Sequence, residues 1–292
     1  MTLTLDEANA ADFWRALAPE LHLEGDAPPP DFALDDAAAL VPDLLREGYV
    51  NAPGAFAESQ LVALRGLITT LAARGIPAPF AFVYDEPWAL YTALHPFLAA
   101  VLGEGYRALP DFWAWHVAAD DDARGWGPHR DRMRPTVGDG GWPMSLTVWL
   151  PLSDATPLNG CIYALPAHLD PVFAARAWDA AGNTVVHKPQ DIRCLAAPAG
   201  SLLAWNQSLL HWGGRASRRA TAPRVSLAFE FQRGDRGSLN QPLLDPSTRP
   251  TLRGRLGLIG KMVLQYSHMY PLAPETSAVA QALRRHMLEE FL

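Results

Sequence analysis

Between residues 111 and 233 the chain is divided into short β-rich runs, each bounded by Gly, Pro, Asn or Asp: Phe112 to Val117, Ser145 to Leu152, Cys161 to Leu165, Thr184 to His187, Ser201 to Trp205 and Val225 to Phe231. Such a series points to a sandwich, barrel or jelly roll. Alternation over Ser145 to Leu150 puts Leu146, Val148 and Leu150 on one face and Ser145, Thr147 and Trp149 on the other. The mixed polar face is the expected pocket lining.

The ends of the chain read differently. Apolar residues recur at helical spacing over Ala11 to Leu17, Asp35 to Arg46, Ala57 to Ala73 and Glu86 to Leu102, with Phe80 to Tyr84 as a short strand between them. From Leu252 onward the pattern is helical again, ending in Ala278 to Leu292. The expected architecture is mainly β: a jelly roll flanked by helices that cover one outer face of its larger sheet. We expect one domain over residues 1–292, with a mainly helical part at 1–110, the jelly-roll core at 111–233 and a helical part at 252–292.

Composition narrows the function classes. Hydrophobic residues make up 49% and charged ones 19%, as in ordinary globular proteins. A net charge of -7 implies no general attraction to nucleic acid or anionic lipid. Basic residues such as Arg132, Arg134, Arg215, Arg218 and Arg219 leave room for a small anion, although most surface arginines are simply solvated. Met1 to Glu7 has no basic segment leading into an apolar stretch, and no apolar run reaches the length needed to span a bilayer. Cys161 and Cys194 show neither zinc-ribbon nor disulfide-framework spacing, so a reducing cytoplasm is the expected setting.

Chemistry is concentrated in His129, Asp131, His211 and Arg224. Two imidazoles and one carboxylate can occupy one face of an Fe(II) ion and leave positions for a co-substrate and oxygen. An arginine can hold the far carboxylate of a dicarboxylic co-substrate through a bidentate pair. A His-x-acid pair alone is weak evidence, because nine histidines yield about one by chance. This chain has three, and context separates them. His22-x-Glu24 precedes a proline-rich link and reads as solvated surface; His168-x-Asp170 follows Pro166, and Asp170 suits a helix N-terminus. His129-x-Asp131 lies between two strands, after Gly125-Trp126-Gly127-Pro128. His211 precedes Trp212-Gly213-Gly214, and Arg224 opens a strand with Ser226 on the same face. A buried arginine there needs a partner, which a bound dicarboxylate, Glu230 or an aspartate can supply. His116 and His187 read as core residues before ligands of another site. Trp126, Trp142, Trp205 and Trp212 read mostly as packing, with one or two bordering a substrate pocket.

Several segments, in order, resemble the phytanoyl-CoA dioxygenase-like family of Fe(II)- and 2-oxoglutarate-dependent oxygenases. They are Leu45 to Gly54, Pro128 to Asp131, Leu146 to Thr156, Asn159 to His168, Gly200 to Asn206 followed by His211, and Arg224. The resemblance spans roughly residues 40–233. It implies a cupin-like double-stranded β-helix, iron on His129, Asp131 and His211, and Arg224 on the distal carboxylate of 2-oxoglutarate. Ser226 and Thr147 are implied as further co-substrate contacts. Pro166-Ala167-His168 departs from the Pro-Gly-Ser-His of many relatives, so the turn there is expected to differ. Asp131 stands where related halogenases carry a small residue, which favours hydroxylation over halogenation. The implied reaction joins molecular oxygen, 2-oxoglutarate and a small-molecule substrate, and releases succinate and carbon dioxide. The competing classes are a metal-dependent cupin-type isomerase or direct dioxygenase working without 2-oxoglutarate, and a non-catalytic relative with a vestigial site. The intact set of ligands and arginine argues against the last.

Overall fold

The computed structural model describes residues 3–25, 27–34, 36–120, 123–175, 187–268 and 272–291. Its helices are α1 (Leu5–Asn9), α2 (Ala11–Leu17), α3 (Val41–Glu47), α4 (Val62–Ala73), α5 (Asp85–Ala93), α6 (His95–Leu102), α7 (Leu252–Gln265) and α8 (Pro274–Phe291). Its strands are β1 (Tyr49–Ala52), β2 (Arg107–Val117), β3 (Ser145–Pro151), β4 (Ile162–Leu165), β5 (Arg193–Leu195), β6 (Leu202–Asn206), β7 (Leu210–Gly213) and β8 (Arg224–Gln232). They form two antiparallel sheets, one in the order β1-β6-β3-β8-β2 and the other β5-β4-β7.

Strand alternation decides what each face does. Leu146, Val148 and Leu150 of β3 and Val225, Leu227, Phe229 and Phe231 of β8 enter one large core together with α4 and α7 side chains such as Leu67, Ile68, Ile259 and Met262. Burying each large apolar side chain contributes about 1.5–3 kcal/mol, so this face fixes the register. The opposite face carries Trp149 and Trp205, which pack with Cys161, Ile162 and Leu195 of the three-stranded sheet in a second cluster. The two sheets therefore lie face to face, with the helices behind the larger one.

Buried charges tie α7 to that sheet and to α5. Lys261 of α7 donates to Asp111 of β2 at 2.9 Å, and Arg255 of α7 pairs with Asp85 of α5 at 2.6 Å. Arg132, read as a surface residue, is instead largely buried, in ion pairs with Asp111 and Glu230. Asp170 has a second role beside its turn bond to the Val172 amide: its other oxygen pairs with Arg130 at 2.7 Å, both side chains fully buried.

Several expected elements differ. Phe80 to Tyr84 is not a strand; Ala78–Val83 forms a 3-10 helix after Pro77, with Pro79 in its first turn. The single helix expected over Glu86 to Leu102 is two, α5 and α6, with Pro96 in the first turn of the second. The Asp35 to Arg46 stretch is a 3-10 turn, Ala37–Leu40, running into α3, and Asp35 itself lies outside the described residues. Of the Thr184 to His187 run, residues 184–186 lie outside the described residues and His187 is in no strand. Among the described residues no helix is long and apolar enough to cross a membrane.

Candidate metal centre

His129, Asp131 and His211 come together although His211 is 80 residues beyond Asp131 in the chain. The segment carrying the first two lies along β7 and the connection that precedes it: His129 and His211 exchange both backbone hydrogen bonds at 3.0 Å, and the Asp131 amide donates to the Gln207 carbonyl at 3.2 Å. One ligand atom from each side chain lies within 4.8 Å of the others, and this is the one such group of three among the described residues.

The remaining polar atoms of these side chains fix what they offer. Nδ1 of His129 is 2.7 Å from the Gly127 carbonyl and Nδ1 of His211 is 3.1 Å from the Leu209 carbonyl. A carbonyl only accepts, so each Nδ1 carries the proton and each Nε2 keeps a lone pair. Both Nε2 atoms face Oδ1 of Asp131, at 3.4 and 3.5 Å. The other carboxylate oxygen, Oδ2, accepts from Thr147 Oγ1 at 2.7 Å and from Trp205 Nε1 at 2.8 Å. Two lone pairs and one carboxylate oxygen thus converge with their opposite ends held by the protein, the arrangement that orients metal ligands. Nε2 of His129 is buried with no hydrogen bond among the described residues, an acceptor position that a cation would satisfy.

Electrostatics follow from the same contacts. Burial opposes ionisation of Asp131, but His211, His129 and the Thr147 hydroxyl outweigh it and hold the carboxyl below its usual range. Burial pushes His211 down to about 4. Burial also disfavours a charged His129, yet the Asp131 carboxylate and the Gly127 carbonyl raise its pKa. At neutral pH the cluster is anionic at Asp131 and neutral at His211, a donor set suited to a divalent transition metal.

Arg224 lines the same cavity as these three residues. It is 1% exposed, donates Nη1 to the Gly160 carbonyl, and lies 6.0 and 5.7 Å from the ring centres of Trp115 and Trp149. Gly125 and Gly213 pack against its guanidinium. A Cβ on Gly125 would lie 3.0 Å from Nη2, and one on Gly213 would lie 3.0 Å from the Gly125 Cα. Ser226 follows on the same face of β8, and its Oγ is buried with no hydrogen bond among the described residues. Thr147 also lines the cavity, but its hydroxyl is engaged with Asp131 and accepts from Gln207 Nε2 at 3.1 Å. The cavity is completed by Trp113, Trp115, Trp126, Tyr266, Glu230 and others.

The remaining sequence candidates lie elsewhere. His22 pairs with Glu86 at 2.7 Å, and His168 is 3.6 Å from Glu47. His116 is in β2 and lines a neighbouring cavity that shares Trp113, Trp115 and Tyr266 with the first. His187 packs on Trp212, which stacks on Tyr163, and Trp142 is 37% exposed. Of the four tryptophans, Trp126 and Trp205 border the cavity. The sequence reading missed Trp205 as a ligand-holding donor and Tyr266 as a wall residue. The first has a signal in hindsight, because the alternation that points Thr147 inward acts equally on its cross-strand neighbour.

No family model matches this sequence, and none of the curated proteins does. Solved structures do match in fold. The epimerase SnoN, in complex with Fe3+, alpha ketoglutarate and nogalamycin RO, is 18% identical with a TM-score of 0.52, covering 68% of this chain and 83% of its own. The non-heme monooxygenase ThoJ is 15% identical with a TM-score of 0.55, covering 83% and 99%. HygX from Streptomyces hygroscopicus, with nickel and 2-oxoglutarate bound, is 16% identical with a TM-score of 0.52, covering 68% and 87%. The chain shares the fold of these three solved structures.

Proposed function

We propose that this protein is an Fe(II)- and 2-oxoglutarate-dependent dioxygenase that hydroxylates a C–H bond of a small metabolite or natural-product intermediate, using molecular oxygen and releasing succinate and carbon dioxide. We read the two sheets as the halves of a double-stranded β-helix, a jelly roll acting as one catalytic domain over residues 1–292. The observation that carries the reading is the convergence of two imidazole Nε2 atoms and Asp131 Oδ1, each with its other polar atom tied to the protein.

In this reading His129, Asp131 and His211 hold the iron. Arg224 takes the distal carboxylate of 2-oxoglutarate, with the Ser226 hydroxyl beside it. When bound, iron and 2-oxoglutarate together supply the oxygen activation that no side chain provides. Thr147 and Trp205 keep Asp131 Oδ1 turned toward the ion. Trp113, Trp115, Trp126 and Tyr266 exclude water and border the substrate. Asp131 keeps a carboxylate in the ligand position, which favours hydroxylation over halide transfer. A guanidinium buried at the wall of the cavity that holds the three ligands suits a dicarboxylic co-substrate, and Arg224 therefore favours the co-substrate reading over a metal enzyme working without 2-oxoglutarate. The fold neighbours include both an epimerase and a monooxygenase, so the substrate's own chemistry decides the outcome at the C–H bond.

The test needs no substrate. Fe(II) and 2-oxoglutarate added anaerobically to metal-free protein should give a visible charge-transfer band that His129→Ala abolishes. Tight iron binding without that band would turn the reading to a cupin-type enzyme independent of 2-oxoglutarate, and no iron binding would reject the site.

A further inference from the structure

The two cysteines, 33 residues apart in sequence, have their sulfurs 3.3 Å apart. The register explains the meeting: Tyr163 of β4 faces Cys194 of β5, and Cys161, two residues before Tyr163, projects on the same side as a diagonal neighbour. Cys161 is fully buried, whereas Cys194 is exposed. Closing the gap to a disulfide bond moves the sulfurs by roughly 1.3 Å.

Cys161 also belongs to the support of Arg224. Gly160, the residue before it, accepts from the guanidinium, and the Cys161 carbonyl accepts from the Gly214 amide at 2.8 Å. The dithiol is therefore continuous with one wall of the cavity. The buried thiol of Cys161 is pushed up to about 12, chiefly by burial, which leaves the exposed Cys194 as the group that meets an oxidant first.

We propose that Cys161 and Cys194 form a reversible dithiol–disulfide pair, closed by a peroxide, whose closure shifts the Gly160–Cys161 backbone that supports Arg224. In the first step the Cys194 thiolate attacks one peroxide oxygen; the O–O bond breaks, giving a sulfenic acid and, after protonation, water. In the second, the Cys161 sulfur attacks the Cys194 sulfur as its proton leaves. The S–S bond forms, the S–O bond breaks, and hydroxide departs with that proton as water. Two thiols and one peroxide become one disulfide and two waters.

The full-length protein, treated with hydrogen peroxide and then alkylated under denaturing conditions, should lose the mass of two hydrogens with neither cysteine alkylated. Dithiothreitol should restore both thiols. Cys161→Ser should stop at a dimedone-trapped sulfenic acid on Cys194, and Cys194→Ser should keep an alkylatable Cys161. Hydrogen exchange at the Gly214 amide should become about tenfold faster in the oxidised wild type, the loss expected when one backbone bond is weakened. Cys194 oxidised beyond the sulfenic acid in the wild type, with Cys161 still alkylatable, would overturn the pair. A disulfide with unchanged exchange at Gly214 would overturn the coupling to Arg224. None of these readouts requires bound iron or 2-oxoglutarate.

Discussion

Thr147 and Trp205 are register partners on neighbouring strands, and both donate to the same oxygen, Oδ2 of Asp131, at 2.7 and 2.8 Å. Strand pairing thereby sets the orientation of a carboxylate that belongs to neither strand. Trp205→Phe and Thr147→Val each remove one donor while keeping most of the packing. Each should weaken Fe(II) or Co(II) binding by about tenfold to a hundredfold, the usual range for partners of metal ligands. Calorimetric titration of the metal-free protein checks this, and unchanged affinity in both variants would reject a positioning role.

Arg224 has a different partner in the proposed function, so its variants should separate co-substrate from metal. Arg224→Lys keeps the charge and loses the planar fork, and should raise the 2-oxoglutarate concentration needed for half-saturation by at least about tenfold. Metal affinity should stay at the wild-type value. Gly213→Ala should move in the same direction, because its Cβ would meet the Gly125 Cα at 3.0 Å and the guanidinium at 3.3 Å. A variant that loses metal and 2-oxoglutarate together would contradict the division of labour.

The Arg130–Asp170 pair is fully buried at 2.7 Å. Asp170→Asn leaves a guanidinium charge uncompensated in the interior and should cost about 3 kcal/mol. Urea unfolding reads this directly, and a loss below about 1 kcal/mol would mean that water or another group compensates.

Asp111 links pH to stability. Burial works against its charge, but Lys261, Arg132 and Asn240 more than offset it, so its pKa in the folded protein lies below the ordinary carboxylate value. A group whose folded pKa is lowered adds stability above the unfolded value of about 3.9 and loses it as pH falls toward the folded one. Wild-type stability should therefore fall more steeply than that of Asp111→Asn as pH drops below about 4. Parallel slopes in the two proteins would show that Asp111 is not a source of the acid transition.

Legibility in the sequence follows the range of the interactions. Alternation within β3 and β8 is local, and it correctly placed Leu146 and Val148 in the core and Thr147 and Trp149 at the cavity. The convergence of His129, Asp131 and His211 was readable from residue type and context, because His129-x-Asp131 lies between two β-rich runs and His211 shortly follows another. Tyr49–Ala52 was not recognised as a strand, because its partner, β6, lies about 150 residues away and four residues carry little pattern. The short strands Arg193–Leu195 and Leu210–Gly213 escaped for the same reason. Phe80 to Tyr84 has the aromatic content of a strand, but Pro77 and Pro79 start a 3-10 turn there. Arg132 looked solvated because nothing nearby in sequence announces Asp111 or Glu230.

The carbonyls of Gly127 and Leu209 hold the two imidazole rings by their Nδ1 atoms. Each acceptor comes from the ring's own neighbourhood in the chain, so the rings are aimed by folding alone and the ion is a late arrival. Loading should then require no rebuilding of the backbone around the rings. Cobalt or nickel should enter the same frame as iron, making the resting protein a ready host for spectroscopic substitutes that leave its architecture as it was.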